Sequence, residues 1–314
     1  TLSMGVAFYP DHGRQLDYLN NCAEQALSEA KNLGGNTIHF YSSENTALLE
    51  QGIFIERDLR KAIQNGELIV YYQPKINLND QKIYGFEALI RWNHPEKGII
   101  PPGMFIPLAE QTSMISEIGQ LVIQQTAKQI RKWNDQGFHN ICVSVNIVAQ
   151  QLRRGQLLDD LDEAIKLNCI SGSNLELEIT ESSLVENSET VMNVLNQIKE
   201  RDINISLDDF GTGYSSLSYL AEFPIDILKI DRSFVSKIGE SKQDAIVSAM
   251  VAMGKAMGMK VVAEGIETEQ QLDFLRQLGC DIAQGYLFSK PLPEQQATEF
   301  LEQNMTPETY TYQV

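Results

Sequence analysis

The chain has 314 residues, with 25 basic against 42 acidic side chains and a formal net charge of −17. That balance excludes a nucleic-acid-coating surface, which needs clustered Lys and Arg, and it repels anionic membranes. Hydrophobic residues at 43% and charged residues at 21% describe a globular protein with ample core material, and the length allows one large domain plus a smaller piece.

Residues 1–43 read as strand, helix, strand. Leu2 to Tyr9 is apolar-rich and ends at the turn signal Pro10-Asp11-His12-Gly13. Leu16 to Asn32 has helical spacing (Leu16, Leu19, Cys22, Ala23, Ala26, Leu27, Ala30) and stops at Gly34-Gly35, after which Thr37 to Tyr41 forms a short strand. With Thr1-Leu2-Ser3 already inside a strand and no signal peptide, the expectation is a cytoplasmic fragment whose parent carries any membrane anchor or sensor. No apolar run reaches the length of a membrane span. Cys22, Cys142, Cys169 and Cys280 are widely spaced and read as buried thiols of a reducing compartment. Residues 44–56 read as a helical linker, and Arg57 to Asn65 as a short helix.

From residue 68 eight β-rich runs follow: Leu68–Asn77, Lys82–Trp92, Ile141–Val148, Leu175–Thr180, Asn204–Phe210, Ile227–Asp231, Lys260–Ile266 and Ile282–Phe288. Helical patterns separate the later ones at Glu117–Gln136, Leu157–Asn168, Ser188–Arg201, Gln243–Met257 and Thr268–Gly279. A short Asn-Asp turn joins the first two runs, so they pair antiparallel; the remainder alternate strand and helix, which argues a parallel sheet. Eight strands in about 240 residues match an α/β fold of the (β/α)8 TIM type, here a modified barrel with an antiparallel first strand. An open doubly wound sheet is the competing architecture. The expected organisation is a small α+β piece over 1–43, a linker over 44–56, the barrel over 57–304 and a tail over 305–314. Trp92, Trp133 and the cluster Met250, Met253, Met257 and Met259 read as core, His94 as a loop residue, and the acidic stretch after Lys290 as a solvated end.

Alternate residues of a strand face opposite sides. Glu176, Glu178 and Thr180 therefore share one face against Leu175, Leu177 and Ile179; Glu87 lies with Arg91, Asn146 with Ser144, and Lys229 opposite Leu228 and Ile230. Most of these groups sit near the C-terminal ends of their strands, where barrel enzymes build their sites. Asp208 and Asp209 are adjacent and can serve one site only where the strand gives way to the loop Phe210-Gly211-Thr212-Gly213. Glu264 and Gln284, each preceding a glycine, occupy similar ends. Glu87, Asn146, Glu178, Asp208, Asp209 and Glu264 are oxygen donors without a His or Cys among them, a set that selects Mg²⁺, Mn²⁺ or Ca²⁺. Five carboxylates balance two divalent ions plus Lys229, and a two-metal clamp suits phosphoryl chemistry. The bland alternative is a set of ordinary salt bridges between strand ends and helix caps.

These motifs resemble the EAL-domain family of cyclic-di-GMP phosphodiesterases. The resemblance runs over roughly residues 57–304 through Gly85-Phe86-Glu87-Ala88-Leu89-Ile90-Arg91-Trp92, Tyr72-Gln73-Pro74, Ser144-Val145-Asn146, Glu178-Ile179-Thr180-Glu181, Asp208-Asp209-Phe210-Gly211-Thr212-Gly213, Leu228-Lys229-Ile230-Asp231, Ala263-Glu264-Gly265 and Gln284-Gly285-Tyr286. It implies hydrolysis of cyclic-di-GMP to linear 5′-pGpG with two Mg²⁺ or Mn²⁺ per site, Ca²⁺ binding but inhibiting. Glu87, Asn146, Glu178 and Asp208 would bind one metal, with Asp209 and Glu264 holding the second. Lys229 would direct the attacking water; Gln73, Leu89 and Arg91 would grip substrate, with Gln284 supporting them. Glu181 would anchor the loop after Asp209, and Glu267 would stand one layer further out. The resemblance also implies a homodimer through that loop and the helix from Gln243.

One departure is visible. The family commonly has a small polar residue two positions after the Asn, where this chain has Val148, so a hydrogen bond near the site is in question. Residues 1–43 resemble the end of a GGDEF (diguanylate cyclase) domain without its signature loop, so this piece cannot cyclise GTP. The alternative readings are a cyclic-di-GMP receptor without turnover, and a barrel aldolase or enolase-type enzyme using Lys229 as nucleophile or base.

Overall fold

The computed structural model describes residues 2–10, 12, 16–32, 35–41, 57–153, 155–185, 188–211 and 222–305. The chain divides into two compact units, Thr1–Gln64 and Asn65–Val314. The linker over 44–56, the tail after 305 and most of the loop after Asp209 lie outside the described residues. Among the described residues no helix is long and apolar enough to cross a membrane.

In the first unit, β1 (Met4–Val6) and β2 (Ile38–Phe40) pair in parallel, joined by the helix Leu16–Asn32. Gly5 permits the close fit: a Cβ there would stand 2.1 Å from the Ala23 carbonyl oxygen. Cys22, Ala26 and Tyr41 form the small core, with Ala7 packed against it. A helix is also present over 57–65.

The second unit carries β3 (Leu68–Asn77), β4 (Ile83–His94), β5 (Gly98–Ile100), β6 (Cys142–Ile147), β7 (Leu175–Thr180), β8 (Asn204–Phe210), β9 (Ile227–Ile230), β10 (Lys260–Ala263), β11 (Ile282–Gln284) and β12 (Leu292–Pro293). Eight of them close a barrel in the order β3-β4-β6-β7-β8-β9-β10-β11, with β11 returning to β3. β3 runs antiparallel to both neighbours, whereas every other adjacent pair is parallel. This is the modified TIM-type barrel expected from the run spacing, and closure excludes the open doubly wound sheet.

Several local expectations change. β10 and β11 are shorter than their apolar runs because the chain leaves the ladder at crowded glycines. Gly265 has φ +68° and lies against Arg232, and a Cβ on Gly285 would stand 2.1 Å from the Ile266 carbonyl oxygen. His94 is a buried strand end rather than a loop residue: its Nδ1 accepts from the backbone N–H groups of Glu96 and Lys97 and so closes the turn into β5. Cys169 is exposed, not buried, because it caps the helix Gln156–Asn168 at φ +51°. The acidic stretch after Lys290 is not a solvated end; its helix Glu294–Asn304 buries Ala297 and Leu301. Trp92 and Trp133 are core residues, 1% and 0% exposed.

Two aspartates pin the strand register. Asp226, just before β9, accepts from the Ile205 N–H of β8 at 2.8 Å and pairs with Lys199 at 2.6 Å. Asp281, just before β11, repeats the device, accepting from the Val261 N–H of β10 at 2.8 Å and pairing with Lys255. Deeper in the barrel, Ile227, Val262 and Ile282 form a buried cluster with Tyr84 packed against it. These residues precede Lys229, Glu264 and Gln284 by two positions on the same strand faces, so an apolar plug floors the polar mouth.

The two parts of the Asp281 device separate by magnitude. Asp281→Ala leaves the Val261 N–H without its acceptor and is expected to cost about 1–3 kcal/mol. Lys255→Met removes only a partly exposed pair and is expected to cost below about 1 kcal/mol. Urea unfolding of both variants measures the difference.

Candidate active site

Ladder register sets the polar side chains at matched depth. Gln73 pairs with Glu87, Asn146 with Glu178, and Thr180 with Asp208. β8 and β9 add an irregularity that decides the aspartate pair. Leu207 is opposite Leu228 and Phe210 is opposite Ile230, so Asp208 and Asp209 together oppose the single residue Lys229. This is a β-bulge, and it re-aims side chains that a regular strand would send to opposite faces. Asp209 pays with a left-handed backbone, φ +55°, which Asp tolerates better than most residues.

The Lys229 ammonium is the centre on which the carboxylates converge. Its Nζ lies 2.7 Å from Glu178, 3.0 Å from Asp208 and 2.6 Å from Glu264. Burial opposes the charge of Lys229, yet Glu178, Glu264, Glu87 and Asp208 outweigh it and hold the ammonium well above its usual range. Glu178 answers in kind: burial would raise its carboxyl, but Lys229 and Lys75 bring it down to about 2. Glu87 and Glu264 go the other way. Burial pushes them up to about 7 and about 8, with the neighbouring carboxylates adding to the rise against the pull of Lys229. Asp209 is raised by burial and by Asp208.

A second network holds Glu87. It accepts from Asn146 Nδ2 at 2.8 Å and from Gln284 Nε2 at 2.6 Å. Gln284 also donates to Gln73 Oε1 at 3.1 Å, and Gln73 in turn donates to the Ser289 carbonyl at 3.1 Å. Beside this cluster opens a cavity of about 550 Å³ whose wall includes Gln73, Glu87, Leu89, Glu264, Glu267 and Gln284, together with Arg232, Lys237 and Tyr286. Arg91 is not part of this wall; its guanidinium lies 5.7 Å from the Tyr71 ring centre and donates to the Ile90 carbonyl oxygen at 2.8 Å. Glu181 lies off the cavity, and its Oε2 accepts from the Gly211 N–H at 3.3 Å. Val148 donates its backbone N–H to Gln151 Oε1 at 3.1 Å and lines a second, mostly apolar cavity of about 460 Å³ that shares Glu87 and Leu89.

The donor set is all oxygen and amide, chemistry suited to a hard divalent cation. Glu178 Oε1 and Asp208 Oδ1 are buried without a hydrogen bond, although a lysine ammonium lies near each. Both observations fit a divalent ion bound by these side chains. Among the described residues no three His, Cys, Asp or Glu side chains gather as a ready-made cage, because Lys229 takes the central place.

Sequence reasoning did not name Lys75, and it placed Glu176 on the inward face without giving it a role. Lys75 and Glu176 are both fully buried and 3.0 Å apart. The signal was available for Lys75, which is two residues from Gln73 on β3 and so shares its inward face.

Comparison with known proteins shows the family. Residues 56–291 match the EAL domain family. A Pseudomonas aeruginosa protein named bifunctional diguanylate cyclase/cyclic di-GMP phosphodiesterase MucR is 40% identical over 295 residues, covering 94% of this chain and 43% of its own length. Cyclic di-GMP phosphodiesterase NbdA of the same organism is 40% identical over 302 residues, covering 96% of this chain and 39% of its own length. The chain thus spans about two fifths of the length of these relatives. A solved structure described as the PaMucR phosphodiesterase in complex with c-di-GMP superposes with a TM-score of 0.75 at 42% identity, covering 77% of this chain and 99% of that one. With three quarters of its length matched by the family and its fold matched by a solved relative, the chain belongs to the EAL-domain family.

Proposed function

We propose that this chain hydrolyses one phosphodiester bond of cyclic-di-GMP to give linear 5′-pGpG, assisted by two divalent ions, Mg²⁺ or Mn²⁺. The observation that carries this reading is the convergence of Glu178, Asp208 and Glu264 on Lys229 at the mouth of the barrel, beside a 550 Å³ cavity. The named relatives and the c-di-GMP complex of MucR support the substrate.

Glu87, Asn146, Glu178 and Asp208 would hold the first ion, and Asp209 and Glu264 the second. When bound, the ions would lower the pKa of a water and neutralise charge on the phosphoryl group. Lys229 keeps its proton and orients the attacking water by donating to it. Gln73 and Leu89 position the dinucleotide in the cavity, and Arg91 offers a guanidinium fork to a phosphate oxygen. Gln284 keeps Glu87 and Gln73 aligned, while Glu267 stands further along the wall. Glu181 fixes the start of the loop after Asp209. A homodimer through that loop and the helix from Gln243 belongs to the same reading, supported by Ile246 standing 42% exposed on that helix. Residues 1–43 belong to it as the remnant of a GGDEF-type domain, supported by their strand-helix-strand arrangement.

Glu87→Ala is expected to lower turnover of cyclic-di-GMP by at least about 100-fold with Mg²⁺ or Mn²⁺. Undiminished hydrolysis in that variant sinks the reading, and tight binding by the parent chain without cleavage would favour a receptor instead. Ca²⁺ is expected to bind the same oxygens and support little turnover, because its looser shell positions water poorly.

Below about pH 7, Glu87 and Glu264 hold protons that a divalent ion must displace. Affinity is therefore expected to rise with pH across the neutral range, with proton release seen as buffer-dependent heat in titration calorimetry.

Lys229→Met is expected to cost about 3–5 kcal/mol without divalent ions, since it leaves Glu178, Asp208 and Glu264 facing one another. Raised carboxyls cost stability as pH climbs through their folded pKa. The deficit should accordingly be larger at about pH 8.5 than at about pH 5.5 in urea unfolding.

A further inference from the structure

The barrel interior holds a second buried lysine for which the proposed chemistry has no use. Lys75 Nζ lies 3.0 Å from Glu176 Oε1 and 3.6 Å from Glu178 Oε1, and none of these side chains is exposed. Glu176 is one inward position before Glu178 on β7, so it sits about 6–7 Å further from the mouth. Glu178 is thereby held between two ammonium groups. One oxygen faces Lys75 in the floor, and the other is 2.7 Å from Lys229 at the mouth. Glu176 is itself fixed on its other side, where Cys142 Sγ approaches Oε2 at 4.0 Å.

A buried ion pair remote from a site adds little net stability over a well-packed apolar pair, because desolvation offsets the attraction. A fixed cation beneath a working carboxylate does something an apolar pair cannot: it restricts the carboxylate to one rotation. We propose that Lys75 is a positioning residue that acts through Glu178, with Glu176 as its counter-ion. It sets the orientation in which Glu178 meets Lys229 and a divalent ion at the mouth, and the contact with Glu178 is enough to keep Lys75 there without Glu176. This inference rests on the reading of Glu178 as a metal donor.

The test compares Lys75→Met, Glu176→Gln and the double variant Lys75→Met/Glu176→Gln with the parent chain. Thermal unfolding, Mn²⁺ affinity by electron paramagnetic resonance, and kcat and KM for cyclic-di-GMP are measured on each. The double variant removes both charges of the deep pair and is expected to unfold within a few degrees of the parent, since neither charge is left unpaired. Its Mn²⁺ affinity is nevertheless expected to fall about tenfold or more, with kcat falling and KM nearly unchanged, as for partners that orient metal donors elsewhere. Glu176→Gln, which keeps Lys75 beneath Glu178, is expected to hold Mn²⁺ within about twofold of the parent.

Recovery of Mn²⁺ affinity and kcat together with stability in the double variant would overturn the inference, reducing Lys75 to a counter-ion for Glu176. So would an equal loss of Mn²⁺ affinity in Glu176→Gln and Lys75→Met. Should the double variant not fold, the contrast between the two single variants still decides. If the parent binds no Mn²⁺, the phosphodiesterase reading fails and this inference falls with it. If the parent binds and all variants bind equally, only this inference fails.

Discussion

A single buried ammonium organises the mouth of this barrel. Lys229 is 1% exposed and in reach of three carboxylates. An isolated charge at that depth would lose its proton or unfold its surroundings. With Glu178, Asp208 and Glu264 around it, the charge is held, and so are three strand ends. Removing either side leaves the other as an uncompensated charge, which is why the cluster behaves as one unit.

The rest of the barrel is arranged to keep that unit in place. Beneath it the barrel is filled by an apolar cluster of Ile227, Val262, Ile282 and Tyr84 and by the buried Lys75–Glu176 pair. Asp226 and Asp281 lock the register of the strands that carry Lys229, Glu264 and Gln284, each tying a backbone N–H of the neighbouring strand to a lysine at the end of the preceding helix. The bulge then sets Asp208 and Asp209 together opposite Lys229 in the ladder, with Asp208 in reach of the ammonium, at the cost of a left-handed aspartate. Local strain and global register thus serve the same few cubic ångströms.

Electrostatics divides the carboxylates into distinct kinds. Glu178 lies between two lysines and is ionised throughout the working range, whereas Glu87 and Glu264 hold their protons to about neutral pH. Identical side chains differ here only through depth and neighbours, which is how one barrel end can both store charge and exchange it.

Much of this was legible in the amino-acid sequence. Period-two alternation marked Glu87, Glu178 and Lys229 as inward-facing, and the run spacing marked a barrel whose first strand is antiparallel, because both are local consequences of strand geometry. The residues around Asp208 and Asp209 also pointed to a break in the strand. What only the tertiary structure decided was pairing across distance. Lys75 met Glu176 and Glu178, Gln284 met Glu87 and Gln73, and the Asp208-Asp209 break proved to be a bulge opposite Lys229. It also turned the expected solvated end after Lys290 into a helix that buries Ala297 and Leu301. The physical reason is that a strand's own residues fix which side chains point inward, whereas the register between strands, set by closure of the whole barrel, fixes which of them meet.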